Sequence, residues 1–267
     1  MNVFDCNIHL TNTDRFKDYK RNIPCTYSSY CSSYSEPYKL KGCLHSGLPN
    51  LENYSYKSFQ NKSSTINTDS YSFPAITSRY IDDSLVEELI CFRKNLHKGC
   101  KLHPRLLNLD YNIDYLSKLA SLVSENNLYL MICTYIDNKN INSHMDIDNL
   151  RRFLDLIITN FNSLNIILAH GGGSYFNLFK EYTFHSNFLL DLSFTYMRYV
   201  NTQIEEEIVD TILDNNLRLA FGTDWPDYSF SDHIPILNKH RELIKNDKFF
   251  QNFLYNNAYN FLNKSAN

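Results

Sequence analysis

Glycine is scarce in this chain, with only 7 among 267 residues. Average usage is about 7%, so the chain cannot rely on glycine-rich loops. Each glycine that it keeps is expected where the backbone needs a positive φ or a close approach to a neighbour. The glycines are Gly42, Gly47, Gly99, Gly171, Gly172, Gly173 and Gly222.

Long apolar runs and a strong net charge are also missing. No stretch reaches the ~18 apolar residues of a membrane-spanning helix, and the start MNVFDCNIHL lacks the pattern of a signal peptide. We therefore expect a cytoplasmic protein without a membrane partner. A formal net charge of -3 gives no broad attraction for nucleic acid. The 7 cysteines show no CxxC pair or zinc-finger spacing, which favours reduced thiols.

What the chain does have is an alternation of short apolar runs and amphipathic segments along nearly its whole length. A hydrophobic content of 43% is enough for a large core. The alternation is typical of βα units around a parallel sheet, and it predicts one α/β domain over residues 1–267. The predicted strands are 2–10, 41–45, 73–78, 99–103, 128–134, 166–170, 188–193 and 217–223.

Two stretches break this rhythm. Residues 11–38 and 53–71 are rich in Ser, Asn, Tyr and Lys and have little periodicity. We interpret them as long excursions after the first two strands, where barrel enzymes often elaborate their sites. The alternative is that they are padding particular to this species.

Polar residues collect at the predicted carboxyl ends of four strands. In the first strand, a period of two puts Asp5, Asn7 and His9 on one face with Val3. By the same parity, Cys6 and Cys100 are predicted to face the helices as small buried hydrophobes. A histidine at one strand end is more often structural, but four polar ends favour a functional site. These ends carry His9, Lys101, His103, His170 and Asp224.

At this point the sequence resembles a known family. The motifs FDCNIHL, GCKLHPRL, NIILAHGGG, LAFGTDWP and NNAYNFL resemble, in order and spacing, those of the metal-dependent amidohydrolase superfamily. The likeness is greatest to the branch that contains aminocarboxymuconate semialdehyde decarboxylase. It implies a (β/α)8 TIM barrel with a divalent metal, usually zinc, at the carboxyl end of the strands. Such a metal lowers the pKa of a bound water towards 7.

The resemblance also implies roles for single residues. His9, His170 and Asp224 match the family's second histidine of His-x-His, its sixth-strand histidine and its eighth-strand aspartate. Asn7 stands where the first histidine of His-x-His belongs, and Cys133 where a fifth-strand histidine is expected. The site could be rebuilt from His9, Cys133 and Asp224, with His103 or His170 filling in, or it could lack a metal. The implied metal ligands are His9, Cys133, His170 and Asp224.

The leading hypothesis is an amidohydrolase-type hydrolase or decarboxylase that acts on a small polar, anionic metabolite. Asp224 is then the general base, and His170 and His103 complete the catalytic set. Lys101 is expected to be an ammonium group that binds a substrate anion, with Arg105 gripping the same anion. The predicted substrate contacts are Lys101, Arg105, Asn7 and Trp225.

Two alternatives stay open. Lys101, His103, His170 and Asp224 could run a lyase, lactonase or isomerase step without a metal. The chain could also be an inactive barrel that acts as a binding or partner subunit. For the metal-dependent and the metal-free enzyme alike, the predicted partner is a small-molecule substrate. The sequence leaves open whether the chain forms a homo-oligomer.

Overall fold

The computed structural model describes residues 1–10, 25–49, 54–107, 109, 112–135, 147–214 and 216–264. Within these ranges the strands run parallel to one another, and each predicted strand has a counterpart. They are β1 (Asn2–Ile8), β2 (Lys39–Ser46), β3 (Asp69–Phe73), β4 (Gly99–Leu102), β5 (Tyr129–Cys133), β6 (Ile166–Ala169), β7 (Phe188–Asp191) and β8 (Leu219–Ala220).

Two sheets, β1 to β3 and β4 to β8, join into one closed barrel. One join is a parallel bridge between Ala75 and Lys101, beside β3 and β4. At the other, between β1 and β8, the Cys6 amide donates to the Phe221 carbonyl oxygen (2.9 Å), and Ile8 bridges to Trp225. The predicted α/β class and eight-stranded barrel are therefore confirmed.

Helices connect the strands around the outside of the barrel. A typical one, over residues 147–160, buries Leu150, Phe153 and Ile157 at the spacing that the sequence predicts. Within the described ranges, no helix combines the length and apolar character that crossing a bilayer requires. The helices are α1 (Tyr27–Cys31), α2 (Tyr56–Ser63), α3 (Asp83–Lys94), α4 (Pro104–Leu107), α5 (Ile113–Glu125), α6 (Ile147–Asn160), α7 (Phe176–Lys180), α8 (Thr195–Arg198), α9 (Gln203–Leu213), α10 (Phe230–Ile244), α11 (Asp247–Gln251) and α12 (Asn257–Leu262).

The core has an outer layer and an inner layer because alternate strand residues point to opposite sides of the barrel wall. Leu130 and Ile132 of β5 pack in the outer layer, against the helices. Met131, between them, packs in the inner layer. Phe261 of α12 belongs to the inner layer too, and its carbonyl oxygen accepts from the Tyr129 hydroxyl (3.3 Å) at the start of β5. Since α12 packs at the amino ends of the strands, the carboxyl ends are left for a site.

The third strand was predicted at residues 73–78, and that placement is wrong. β3 covers Asp69–Phe73 and stops before Pro74, which has no N–H to donate to a sheet ladder. Within the excursion predicted at 53–71, the structure places α2 and the first residues of β3. Of the excursion predicted at 11–38, residues 11–24 lie outside the described ranges and 25–38 contain α1.

The predicted faces of the first strand are also wrong in part. Asp5 pairs with Cys43 and Ile8 pairs with His45. Between these two pairs β1 advances by three residues and β2 by only two. This extra residue is a β-bulge, and it reverses the alternation. Val3 packs in the outer layer and Cys6 in the inner layer, opposite to the predicted place of Cys6, and beyond the bulge Asn7 no longer shares the face of Val3 but contacts Asp224 and Lys101. Cys100 lies in the outer layer, as predicted.

Most glycines lie where a side chain would collide or where φ is positive, in agreement with their scarcity. Gly171, Gly172 and Gly173 have φ values of 56°, 76° and 58°. A Cβ on Gly99 would come within 2.3 Å of Phe73 Cε1 and 2.6 Å of the Tyr129 carbonyl oxygen. β4 can therefore approach its neighbours only without a side chain at residue 99.

We expect Gly99→Ala to lower the free energy of unfolding by about 1–3 kcal/mol, because the added methyl overpacks the barrel interior. Urea unfolding followed by circular dichroism would measure the change. Lys118→Ala, on the exposed side of α5, is the control and should stay within about 0.5 kcal/mol of the native chain. Equal midpoints for the native chain and Gly99→Ala would contradict this account of the barrel wall.

Candidate active site

The polar residues predicted from strand ends meet at one end of the barrel. His9 follows β1, His103 follows β4, Cys133 ends β5 and His170 follows β6. Asp224 lies four residues beyond β8. Because the strands are parallel and the barrel is closed, their carboxyl ends form one mouth.

The backbone bends sharply where it presents two of these side chains. His170 and Asp224 have φ values of 66° and 59°, in the left-handed region that residues other than glycine rarely adopt. Each such residue costs on the order of 1–3 kcal/mol unless its surroundings hold it in place. The Asp224 amide donates to the Asn7 carbonyl oxygen (3.0 Å), which fixes one bend. The Gly172 amide donates to Thr134 Oγ1 (2.9 Å), beside the other.

The Asp224 carboxylate is at the centre of the site. Its Oδ1 accepts from Asn7 Nδ2 (3.0 Å) and lies 3.3 Å from His9 Nε2. Its Oδ2 lies 4.0 Å from His170 Nδ1. Burial alone would raise the pKa of Asp224, but the positive charges of His170 and Lys101 outweigh burial and hold it well below its usual range. Asp224 is therefore ionised at neutral pH.

The hydrogen bond between His9 and Ser46 determines the tautomer of the His9 ring. Its Nδ1 lies 2.7 Å from the Ser46 carbonyl oxygen, which can only accept, so Nδ1 carries the proton. Burial and the nearby Lys101 ammonium lower the pKa of His9 to about 4, so the ring is neutral. The lone pair of Nε2 then faces Asp224 Oδ1. Two acceptors this close leave room for a proton or another cation between them.

A buried lysine forms the floor of the mouth. Lys101 is 0% exposed, and its Nζ donates to Asn7 Oδ1 (3.3 Å) and Ser46 Oγ (3.1 Å). Ser46 Oγ also donates to Asn7 Oδ1 (2.6 Å). Burial lowers the pKa of Lys101, although the charges of Cys133 and Asp224 oppose that shift. Two predicted substrate contacts, Lys101 and Asn7, thus lie beneath the side chains that reach the mouth.

Cys133 lies between two histidines. Burial would raise the pKa of its thiol, but hydrogen bonds and charge interactions with His103 and His170 hold it well below its usual value. Burial lowers the pKa of His170, yet Asp224 and Cys133 together raise it to about 9. Among the described residues, His103 Nδ1 is buried without a hydrogen-bond partner.

Sequence reasoning missed the support that β7 gives. Asp191 ends this strand, and its Oδ2 accepts from Ser193 Oγ (2.5 Å). Ser193 Oγ in turn accepts from Asn7 Nδ2 (3.0 Å), and the Ser193 carbonyl oxygen accepts from His170 Nδ1 (3.1 Å). The same period of two that selected the other strand ends would have found this pair in Asp191-Leu192-Ser193.

A second missed residue is Asp227, three residues after Asp224. Its amide donates to the Asp224 carbonyl oxygen (2.8 Å), and the two carboxyl groups are in contact. Burial and the charge of Asp224 raise the pKa of Asp227 to about 7. Its Oδ1 is buried and has no partner in the described part of the chain. Two neighbouring acids with pKa values pushed apart are typical of an acid/base site, and the signal was the second Asp in GTDWPD.

Arg105 and Trp225 lie in very different surroundings. Arg105 is exposed at the rim, with its guanidinium 5.8 Å from the centre of the Tyr135 ring. The Tyr135 ring meets the His170 ring edge-on at 6.1 Å. Trp225 is buried in an apolar cluster with Ile8 and Tyr30. Of these two predicted substrate contacts, Arg105 is the one that an incoming molecule can reach.

The donor set does not fit the metal that the resemblance implies. A protein metal site of this kind needs about three protein ligands. In the described part of the chain, no group of three or more His, Cys, Asp or Glu side chains is arranged to hold a metal ion. Cys133 contacts His103 and His170, whereas His9 contacts Asp224. Lys101 already places a positive charge in the floor.

Comparisons with known proteins give similarity only at the level of structure. No family model and no curated protein matches the chain. Amidohydrolase 2 from Bifidobacterium longum subsp. infantis has a TM-score of 0.66 at 11% identity, with 99% of this chain and 100% of that chain covered. 5-carboxyvanillate decarboxylase from Sphingomonas paucimobilis has a TM-score of 0.64 at 11% identity, with 99% of each chain covered.

A further similar structure holds a metal. It is 5-carboxyvanillate decarboxylase from Novosphingobium aromaticivorans, complexed with manganese and 4-hydroxy-3-methoxy-5-nitrobenzoic acid. Its TM-score is 0.59 at 10% identity, with 98% of this chain and 96% of that chain covered. Over nearly its whole length, this chain therefore has the (β/α)8 barrel fold of the amidohydrolase structures.

Proposed function

We propose that the chain is an amidohydrolase-type enzyme that hydrolyses or decarboxylates a small, polar, anionic substrate at the barrel mouth. The observation that carries the proposal is the Asp224 carboxylate, which lies 3.3 Å from His9 and 4.0 Å from His170 at the carboxyl ends of three strands. The similar structures, which include an amidohydrolase and decarboxylases, support the same general class.

The roles follow from the charges of the side chains. Asp224 is ionised and accepts a proton, while His170, whose pKa is raised to about 9, donates one or polarises a carbonyl group. The cations that keep Asp224 ionised also make it a weak base. Most of the acceleration must therefore come from orientation and from positive charge next to the developing oxyanion.

The preference for an anion rests on two positive groups. Arg105 is exposed at the rim, where its planar guanidinium can bind a carboxylate or phosphate through two hydrogen bonds. Lys101 acts from the floor through its field, because Asn7 and Ser46 hold its ammonium. An anion that enters the mouth thus meets positive charge at the rim, from Arg105, and at the floor, from Lys101.

Asp224→Asn should lower kcat by about 10²–10⁴-fold, because the amide cannot accept the proton. Turnover of a panel of small anionic esters, amides and carboxylic acids would measure this, with circular dichroism to check folding. Asp69→Asn, at the exposed start of β3, is the matched control and should keep native turnover. Binding of an anion without turnover in the native chain would instead favour a binding subunit.

Arg105→Gln should raise KM for anionic substrates by about 10-fold and change kcat little, because a charge-assisted contact contributes roughly 1.5–3 kcal/mol. Steady-state kinetics over a range of substrate concentrations separate the two parameters. Arg93→Gln is the control, since Arg93 is also exposed and lies in the last turn of α3, which leads into the amino end of β4. An unchanged KM for Arg105→Gln would contradict the proposed role of Arg105 in binding the anionic substrate.

A metal-assisted enzyme is the second candidate, and two observations favour it. The neighbouring decarboxylase was crystallised with manganese. In this chain, the His9 Nε2 lone pair faces Asp224 Oδ1 at 3.3 Å, which a cation would stabilise. A divalent ion such as zinc would there have two protein ligands, fewer than a resident metal normally takes.

Metal analysis of the purified protein separates the two candidates. We expect less than a stoichiometric amount of zinc or manganese after dialysis, and turnover that survives a chelator, because Lys101 already supplies positive charge. One equivalent of metal in the native protein, lost in His9→Gln, would establish the metal-assisted enzyme instead. Calorimetric titration with zinc and manganese gives the same answer without an activity assay.

A further inference from the structure

Lys101 is a fixed cation beneath the mouth, and it controls the side chain above it. It is 0% exposed, and its Nζ donates to Asn7 Oδ1 (3.3 Å) and Ser46 Oγ (3.1 Å). Ser46 Oγ uses its own proton in a bond to Asn7 Oδ1 (2.6 Å), so it accepts from Lys101. An ammonium group has only donors. Each atom that faces Nζ must therefore be an acceptor.

The orientation of the Asn7 amide follows from its four partners. Oδ1 accepts from Lys101 and Ser46, as described above. Nδ2 donates to Ser193 Oγ (3.0 Å) and to Asp224 Oδ1 (3.0 Å), which belongs to an ionised carboxylate and can only accept. Rotating the amide by half a turn would set Nδ2 against the Lys101 donors and Oδ1 against the Asp224 carboxylate. Lys101 and Asp224 therefore hold the amide in one orientation.

This orientation closes one side of Asp224 to a metal ion. A metal ligand must offer a lone pair, and a neutral histidine or a carbonyl oxygen does so. Asn7 instead presents N–H groups to Asp224, and both lone pairs of its Oδ1 accept from Lys101 and Ser46. His9 Nε2, 3.3 Å from Asp224 Oδ1, completes a pair of ligands. A protein site of this kind needs about three.

We infer that Lys101 keeps a metal ion out of the mouth and supplies the positive charge in its place. Its ammonium fixes the Asn7 amide, and the N–H groups of the amide carry the positive end of that dipole to Asp224. Lys101 is thus a positioning residue that acts through Asn7. Without it, the amide is free to turn Oδ1 towards Asp224, and with His9 these side chains form a three-ligand site. The inference rests on the proposed function for the central role of Asp224.

Calorimetric titration with zinc and with manganese tests the exclusion of a metal. The proteins are the native chain, Lys101→Met, and the double variant Lys101→Met with Asn7→His, in which an imidazole supplies the missing lone pair. We expect no stoichiometric binding to the native chain. Both variants should bind one equivalent, about 10–100-fold more tightly than the native chain, and adding His9→Gln should abolish it. Lys118→Met, on the exposed side of α5, is the matched control and should behave like the native chain.

A second experiment tests the charge of Lys101 with a chelator present. In Lys101→Ala, the missing atoms from Cγ to Nζ have the size of n-propylammonium. Thermal unfolding is followed with this ion and with 1-propanol, a neutral molecule of similar size. At about ten times its dissociation constant, n-propylammonium should raise Tm by about 3–5 °C. 1-Propanol should have a much smaller effect, and neither should shift the native chain. Folding of Lys101→Ala only with n-propylammonium would be the same result in a stronger form.

The two experiments decide the inference without a substrate. Metal binding gained in the Lys101→Met proteins and rescue specific to n-propylammonium support it. One equivalent of metal in the native chain, lost in His9→Gln, overturns it, and so does a folded double variant that binds metal no more tightly than the native chain. Equal effects of n-propylammonium and 1-propanol also overturn it, and this comparison decides if neither Lys101→Met protein folds. The proposed function fails separately, through native turnover in Asp224→Asn.

Discussion

The bulge in β1 is the constraint on which the site depends. One extra residue between Asp5 and Ile8 turns Asn7 and His9 towards the mouth and leaves Asp5 on the outer side of the wall. There the Asp5 carboxylate accepts from the hydroxyls of Tyr30 (3.0 Å), Tyr34 (2.9 Å) and Thr223 (2.7 Å). The Thr223 contact joins β1 to the segment after β8, and the two tyrosines join it to α1 and the residues that follow α1. The bulge in β1 therefore both contributes to the closure of the barrel between β1 and β8 and orients the side chains at the mouth.

Charge balance explains why the mouth can be polar and almost fully buried. Asp224 is ionised and the thiol of Cys133 is acidic, while His170 and Lys101 contribute positive charge. In a medium of low dielectric constant these interactions are much stronger than in water. A buried charge without a partner would be costly. In this site each charged group has a partner of opposite charge, which stabilises its charged form.

Asn7 occupies the position of the first histidine of His-x-His, and its hydrogen bonds are ones that a histidine could not make. Its amide makes four hydrogen bonds, donating to Ser193 Oγ and Asp224 Oδ1 and accepting from Ser46 Oγ and Lys101 Nζ. A neutral imidazole has one donor and one acceptor, so it could not make all four. Asn7 and Lys101 therefore belong together: the amide links the floor cation to the central carboxylate. The departure from His-x-His is thus a coherent rearrangement of the site.

The sequence alone determined the class of fold and which strand ends meet, because apolar periodicity and strand order are local patterns. The strand ends that it selected carry His9, Lys101, His103, Cys133, His170 and Asp224, which lie at the carboxyl end of the barrel, and its glycines marked close approaches such as Gly99. Tertiary structure decided which side of β1 each residue faces, since the bulge arises from pairing with β2. It also decided the partners: Cys133 with two histidines, Asp227 against Asp224, and Lys101 under Asn7. Such contacts join residues distant in the chain, and no local pattern encodes them.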